Sequence, residues 1–157
     1  RVGLNYAFNK KVTVTGGVVY TIADVSYKKN TPNLYEFRFY QDVNYKSILG
    51  SLKINQRIRL AQRFKRQNLE NSIQHRIRYG LFLRYPLSKK WNMYAFNELF
   101  IKFATKTFGQ NRTGIGVIKK INSTLKLNFG YFYTKFPTNS FHRLQLGIIL
   151  NTNFSKK

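Results

Sequence analysis

The chain has 157 residues, with 28 Lys and Arg against 5 Asp and Glu, and a formal net charge of +23. That length suits one domain, 1–157, and the charge points to nucleic acid, an anionic lipid surface or acidic ligands as partners. Aromatics at 17% exclude a disordered basic tail, and the lack of cysteine excludes disulfide frameworks and zinc ribbons.

No run of 18 apolar residues occurs, so no transmembrane helix is expected, although membrane-crossing strands give a much weaker signal. Arg1 opens directly into an alternating segment with no secretory signal in view, so the sequence reads as a mature or truncated form. Residues 2–8 alternate Val2, Leu4, Tyr6 and Phe8 against Gly3, Asn5 and Ala7, and a polar turn follows at Asn9, Lys10 and Lys11. The second strand, 12–23, carries Gly16-Gly17 in its middle, which predicts a bulge or bend. A polar loop is expected at 24–33, then a strand at 34–42 with Tyr35, Phe37 and Phe39 opposite Glu36, Arg38 and Tyr40. Residues 44–50 read as a connection.

The most informative stretch is 53–65. One face reads Lys53, Asn55, Arg57, Arg59, Ala61, Arg63, Lys65, and the other Ile54, Gln56, Ile58, Leu60, Gln62, Phe64. A period of two means an extended strand. After a loop at 66–72, residues 76–85 repeat the pattern, with Arg76, Arg78, Gly80, Phe82 and Arg84 opposite Ile77, Tyr79, Leu81, Leu83 and Tyr85. Pro86 and Ser88-Lys89-Lys90 turn the chain into 91–103, where Tyr94, Phe96, Glu98 and Phe100 share a face. A loop at 104–109, a strand at 110–118, a turn at 119–123, a strand from Leu125 to Tyr133, a turn at 137–139 and a last strand at 141–154 complete about nine strands at hairpin spacing, without a helix.

Strands apolar on one side and charged on the other, with no helix to cover the apolar side, predict an all-β fold: an antiparallel up-and-down transmembrane β-barrel of about ten to twelve strands. The turns at 9–11, 88–90 and 119–123 share one end and are short. The loops at 24–33, 66–72 and 104–109 share the other and are longer, with 44–50 as the exception. Closed bacterial barrels have even strand counts, so one or more N-terminal strands are expected beyond those counted. The expected location is the bacterial outer membrane with the C-terminus periplasmic. Trp91, Tyr85 and Tyr133 would sit in an aromatic girdle, and turn lysines, among them Lys28 and Lys29, near phosphate headgroups. The last strand, ending at Phe154, resembles the strand that barrel-assembly machinery reads.

Arg57-x-Arg59-x-Ala61-x-Arg63, Arg76-x-Arg78-Tyr79, Asn97-Glu98-Leu99-Phe100, Gln110-Asn111-Arg112, Gly130-Tyr131 and Glu36-x-Arg38 together resemble a family of uncharacterised outer-membrane β-barrels common in Bacteroidota. The resemblance covers nearly the whole chain. Ala61 departs from it, since members often carry a glutamate there. Members usually begin with further strands. The resemblance implies a fold and a location but no activity.

The lumenal set is then Glu36, Arg38, Arg57, Arg59, Arg63, Arg76, Arg78, Arg84, Glu98, Arg112 and Arg143. The expected role is a structural ion-pair network plugging a small barrel, in a structural or accessory subunit beside lipopolysaccharide and a larger outer-membrane assembly. The alternative is an anion-selective channel or a binder of anionic ligands. Two carboxylates among arginines are better placed as ion pairs than as an acid–base pair, so no enzyme is expected. No cofactor is expected. With His75 and His142 the only histidines, no metal site is expected either. A soluble nucleic-acid binder would also interleave Arg with aromatics, but it would need a cover for every apolar face.

Overall fold

The computed structural model of the chain describes residues 1–23, 33–67, 70–103 and 107–151. Nine strands run through them: β1 (Val2–Ala7), β2 (Val12–Ala23), β3 (Leu34–Leu49), β4 (Leu52–Gln67), β5 (Glu70–Pro86), β6 (Trp91–Lys102), β7 (Thr107–Lys120), β8 (Leu125–Lys135) and β9 (Ser140–Leu150). Each pairs antiparallel with its chain neighbours, giving one up-and-down sheet in the order β1 to β9. The described residues form no helix, and β1 and β9 are not paired with each other. Of the loop expected at 24–33, residues 24–32, with Lys28 and Lys29, lie outside the described residues, as does the chain end with Phe154.

Three turns share one local device. In each, a polar side chain folds back to accept two backbone N–H groups, the habit that makes Asn and Ser turn formers. Asn9 Oδ1 accepts from Lys11 and Val12, both at 2.8 Å. Ser88 Oγ accepts from Lys90 and Trp91 at 3.3 and 3.2 Å. Asn122 Oδ1 accepts from Thr124 and Leu125 at 2.9 and 2.7 Å. The fourth turn at this end joins Leu49 to Leu52, with Gly50 at φ 57°, a left-handed conformation that suits glycine.

That fourth turn corrects the expected connection at 44–50. β3 continues to Leu49 because Asn44, Lys46 and Ile48 keep the alternation through register with Arg57, Asn55 and Lys53. The loop expected at 66–72 is also mostly strand, since β4 reaches Gln67 opposite Glu70. The two ends of the sheet therefore differ less in loop length than the sequence implied. Gly16-Gly17 is not a bulge either: β2 keeps unbroken register with β1 and β3 through both glycines. The glycine at 17 is a matter of room, because a Cβ there would press on the carbonyl of Val2 and lie 2.6 Å from the Tyr40 hydroxyl. The register shift falls instead between Phe100 and Ile101, opposite Gly109.

The two faces invert the usual arrangement. Tyr40 and Phe100, 2% and 1% exposed, lie on the charged face with Glu36, Asp42, Arg59 and Glu98, all buried. The other face leaves Ile58 48% and Ile115 52% exposed in the middle of the sheet, and Leu4 and Leu144 84% and 85% exposed at its edges. Polar side chains on this apolar face bond to each other. Asn97 Nδ2 donates to Asn111 Oδ1 at 3.0 Å and to Thr113 Oγ1 at 2.7 Å, and Asn111 Nδ2 donates back to Asn97 Oδ1 at 3.1 Å. Tyr79 donates to Gln56 Oε1 at 3.0 Å, and Tyr131 Oη lies 2.5 Å from His142 Nδ1.

The register is also staggered. One row of opposed residues runs Val12, Tyr45, Gln56, Leu81, Asn97, Thr113, Tyr133, His142. It enters at the first residue of β2, beside the turns, and leaves near the start of β9, at the opposite end of the sheet. A row perpendicular to the strands that climbs from end to end is the stagger of tilted strands.

The fit of Tyr40 into its glycine cleft is testable. Gly17→Ala should lower stability by about 1–3 kcal/mol, while Gly16→Ala, whose Cβ meets nothing within 4 Å, should stay within about 0.5 kcal/mol. Urea midpoints of the two variants decide it, and equal effects would show that the ring does not need the cleft.

Candidate functional site

Register determines which charges meet on the inner face. Asp42 of β3 is the cross-strand partner of Arg59 of β4. Arg59 grips it with both ends of its fork, Nε donating to Oδ1 at 2.5 Å and Nη2 to Oδ2. Arg1 approaches the same carboxylate at 3.9 Å. Tyr40 lies between the two cations, its ring centroid 4.5 Å from the Arg1 guanidinium and 4.8 Å from that of Arg59.

Glu36 is held from two sides. Arg38, two residues along the same strand face, donates through Nε at 2.7 Å and also through Nη2. Arg63 of β4 donates through Nε at 2.9 Å and Nη2 at 2.5 Å, and its Nη1 reaches Gln74 Oε1 at 2.8 Å.

Glu98 of β6 collects three arginines from three strands. Arg57 Nη2 is 2.5 Å away, Arg78 Nη1 3.4 Å and Arg112 Nη1 3.8 Å. Arg57 reaches over β5 because its register partner there is Gly80, which is itself opposite Glu98. A larger residue at 80 would stand between the pair. Phe100 lies within 4.1 Å of the Arg78 guanidinium, 5.0 Å of Arg76 and 5.7 Å of Arg112. Phe82 and Phe132 receive Arg57 and Arg112. Ring faces thus offer negative potential where carboxylates run out.

Among the described residues, seven arginines share these three carboxylates. The excess positive charge calls for water or anions, since a buried unpaired cation is costly. The Nε atoms of Arg57, Arg78 and Arg112 are buried without a hydrogen-bond partner among the described residues.

Of the residues singled out in the sequence, Glu36, Arg38 and Arg63 form one cluster, and Glu98, Arg57, Arg78 and Arg112 another. Arg59 belongs with Asp42. The Arg76 side chain makes neither an ion pair nor a hydrogen bond among the described residues and rests on Phe100. Arg84 is exposed near the turns, and Arg143 is exposed on the edge strand β9, over Phe141 at 5.9 Å. Sequence reasoning missed Asp42, Arg1 and the aromatic partners Tyr40, Phe82 and Phe100. The parity of Asp42 with Glu36, Arg38 and Tyr40 was the available signal.

The family model described as "Protein of unknown function (DUF2490)" matches residues 1–145. The chain belongs to this family. No curated protein and no solved structure gives a match. Two short motifs of this DUF2490 chain, Asn97-Glu98-Leu99 and Asn111-Arg112-Thr113, prove to be one unit. They face each other across β6 and β7 as Asn97 with Thr113, Glu98 with Arg112 and Leu99 with Asn111. The acidic and basic members point inward and the amides outward, so one pair of strands serves both faces.

Glu98 is the place to test the network. Glu98→Gln should cost about 3–5 kcal/mol, because three inward guanidiniums lose their counter-charge. Adding Arg78→Met should recover part of that loss. A double-mutant cycle on unfolding free energy reads the coupling, and additive effects would mean that Arg78 and Glu98 do not act together.

Proposed function

We propose that this chain is the membrane-spanning wall of a bacterial outer-membrane β-barrel with a structural or accessory role. The observation that carries this reading is the inverted sheet: the ion-paired side chains are gathered on the buried face, and a largely apolar surface is left outside. In hydrocarbon that surface needs no cover. The strands β2 to β9 have 11 residues or more, at or above the roughly 9–11 that a tilted strand needs to cross. The staggered register suits closure, and the outward amides that bond to one another suit an environment without water.

A barrel also has to cover the free edges of β1 and β9, since open edges are not tolerated in lipid. Further strands, about ten to twelve in all, would do so. The C-terminus would be periplasmic, lipopolysaccharide would be the surrounding lipid on one side, and assembly machinery would read the last strand. The resemblance to Bacteroidota barrels belongs to the same reading. The inner network, with Tyr40, Phe82, Phe100 and the arginines filling space, would plug the lumen and hold the wall in shape.

Extraction and gel migration test it. The chain should need detergent for solubility and should migrate differently before and after boiling. A chain soluble in high salt alone, with no heat-dependent shift, would remove the barrel and return a basic nucleic-acid binder to consideration.

A second reading is favoured by the cation excess: the interior passes or holds anions. In planar bilayers an open pore should conduct with anion preference, and Arg57→Ala with Arg76→Ala should weaken that preference. A silent wild-type protein would support the plugged wall.

A further inference from the structure

The charges of the inner face are not spread evenly, and one cavity gathers four cations with no carboxylate in its lining. It has a volume of ≈ 470 Å3 and lies beside the β8–β9 turn, at the end of the sheet away from Gly50. Arg63, Lys65, Arg76 and Lys102 line it together with the side-chain amides Gln74 and Gln110. The size is within the range of small-ligand pockets. Register brings the cations together: Arg76 is the cross-strand partner of Lys102 on one side and of Ala61 on the other, and Gln74 is the partner of Arg63.

The nearest carboxylate is already engaged. Glu36 accepts two hydrogen bonds from Arg63 and two from Arg38. The side chains of Arg76, Lys65 and Lys102 make no hydrogen bond or ion pair among the described residues, and the Arg76 guanidinium lies over the face of Phe100 at 5.0 Å. All three are partly removed from solvent. Like charges held together in this way repel unless an anion joins them.

We infer that this cavity is a binding site for a phosphate or phosphomonoester group. A compact dianion meets three unpaired cations better than a single-charge carboxylate does. The planar fork of Arg76 can bond two phosphate oxygens, the lysines act as mobile point charges, and the amides donate the remaining hydrogen bonds. The inference deepens the anion-holding reading above but does not require the barrel to close, because every lining residue comes from β4 to β9 and their turns. The phosphate could be free or carried on a lipid headgroup, since the chemistry recognised is the same.

The test is calorimetric titration of the full chain in detergent micelles with inorganic phosphate at constant ionic strength. Saturable 1:1 binding is expected, weakened at least about tenfold by Arg76→Gln, partly restored by Arg76→Lys, and unchanged by Arg84→Gln, which removes an exposed cation elsewhere on the same face. A parallel arm uses micelles doped with phosphatidic acid. Loss of lipid binding in Arg76→Gln without any binding of free phosphate supports the site with a headgroup as its occupant; loss of both supports free phosphate. Binding that does not saturate, or that falls equally in Arg84→Gln and Arg76→Gln, overturns the inference, because a diffuse field would then explain it. A chain that binds phosphate with the expected variant pattern yet shows no heat-dependent migration would overturn the barrel and leave the site standing.

Discussion

A guanidinium removed from water must find an acceptor, and on this sheet Glu36, Asp42 and Glu98 are the acceptors on which seven arginines converge. The carboxylates sit on two strands, β3 and β6, and their partners come from β3, β4, β5, β7 and the residue preceding β1. Each carboxylate therefore ties neighbouring strands by side chain as well as by backbone. The geometry is strict, because a slip of one residue in any pairing would turn an arginine to the other face. Charge and hydrophobic patterning favour the same register, since such a slip would also carry Ile58, Leu60 and Phe64 onto the charged face.

Space is the second constraint. Long side chains can meet across two strands only where the strand between them is thin. Gly80 provides that under the Arg57–Glu98 pair, and Gly3 and Gly17 provide it for the Tyr40 ring. Tyr94 is accommodated in the same way, since a Cβ on either Gly116 or Gly130 would collide with its hydroxyl. The inner face is thus a mosaic of large and absent side chains. The outer face is more uniform: most of its residues are medium to large, and their contacts are local, as between Phe37, Phe39 and Phe64.

Much of this was legible in the order of residues and some was not. The alternation of Arg57, Arg59 and Arg63 against Ile58, Leu60 and Phe64 suffices to assign a strand and to separate its faces. It does not reveal which acid meets which base, because pairing depends on offsets between strands, and these are set by turn lengths. The stretch 44–50 reads as a loop because Asn44, Lys46 and Ser47 are polar, although Asn44 and Lys46 continue the inward face of the strand. Gly16-Gly17 was misread for a different reason. A glycine pair marks either an irregular backbone or a close neighbour, and only the position of Tyr40 across the sheet distinguishes them. Asp42 is hard to single out because the polar residues after it place it at the end of its strand, whereas it lies in the middle of β3.

The repeated turn built on Asn9, Ser88 and Asn122 has a consequence for how the sheet comes into being. Each of these side chains closes its own bend using only bonds within five residues, so a hairpin can start at any of three places without waiting for distant chain. Because strand order follows chain order throughout, each new strand can dock on a neighbour already in place, and no earlier pairing has to be undone. Assembly can proceed by zippering outward from several seeds, with the meeting of seeds, and not their birth, as the slow event.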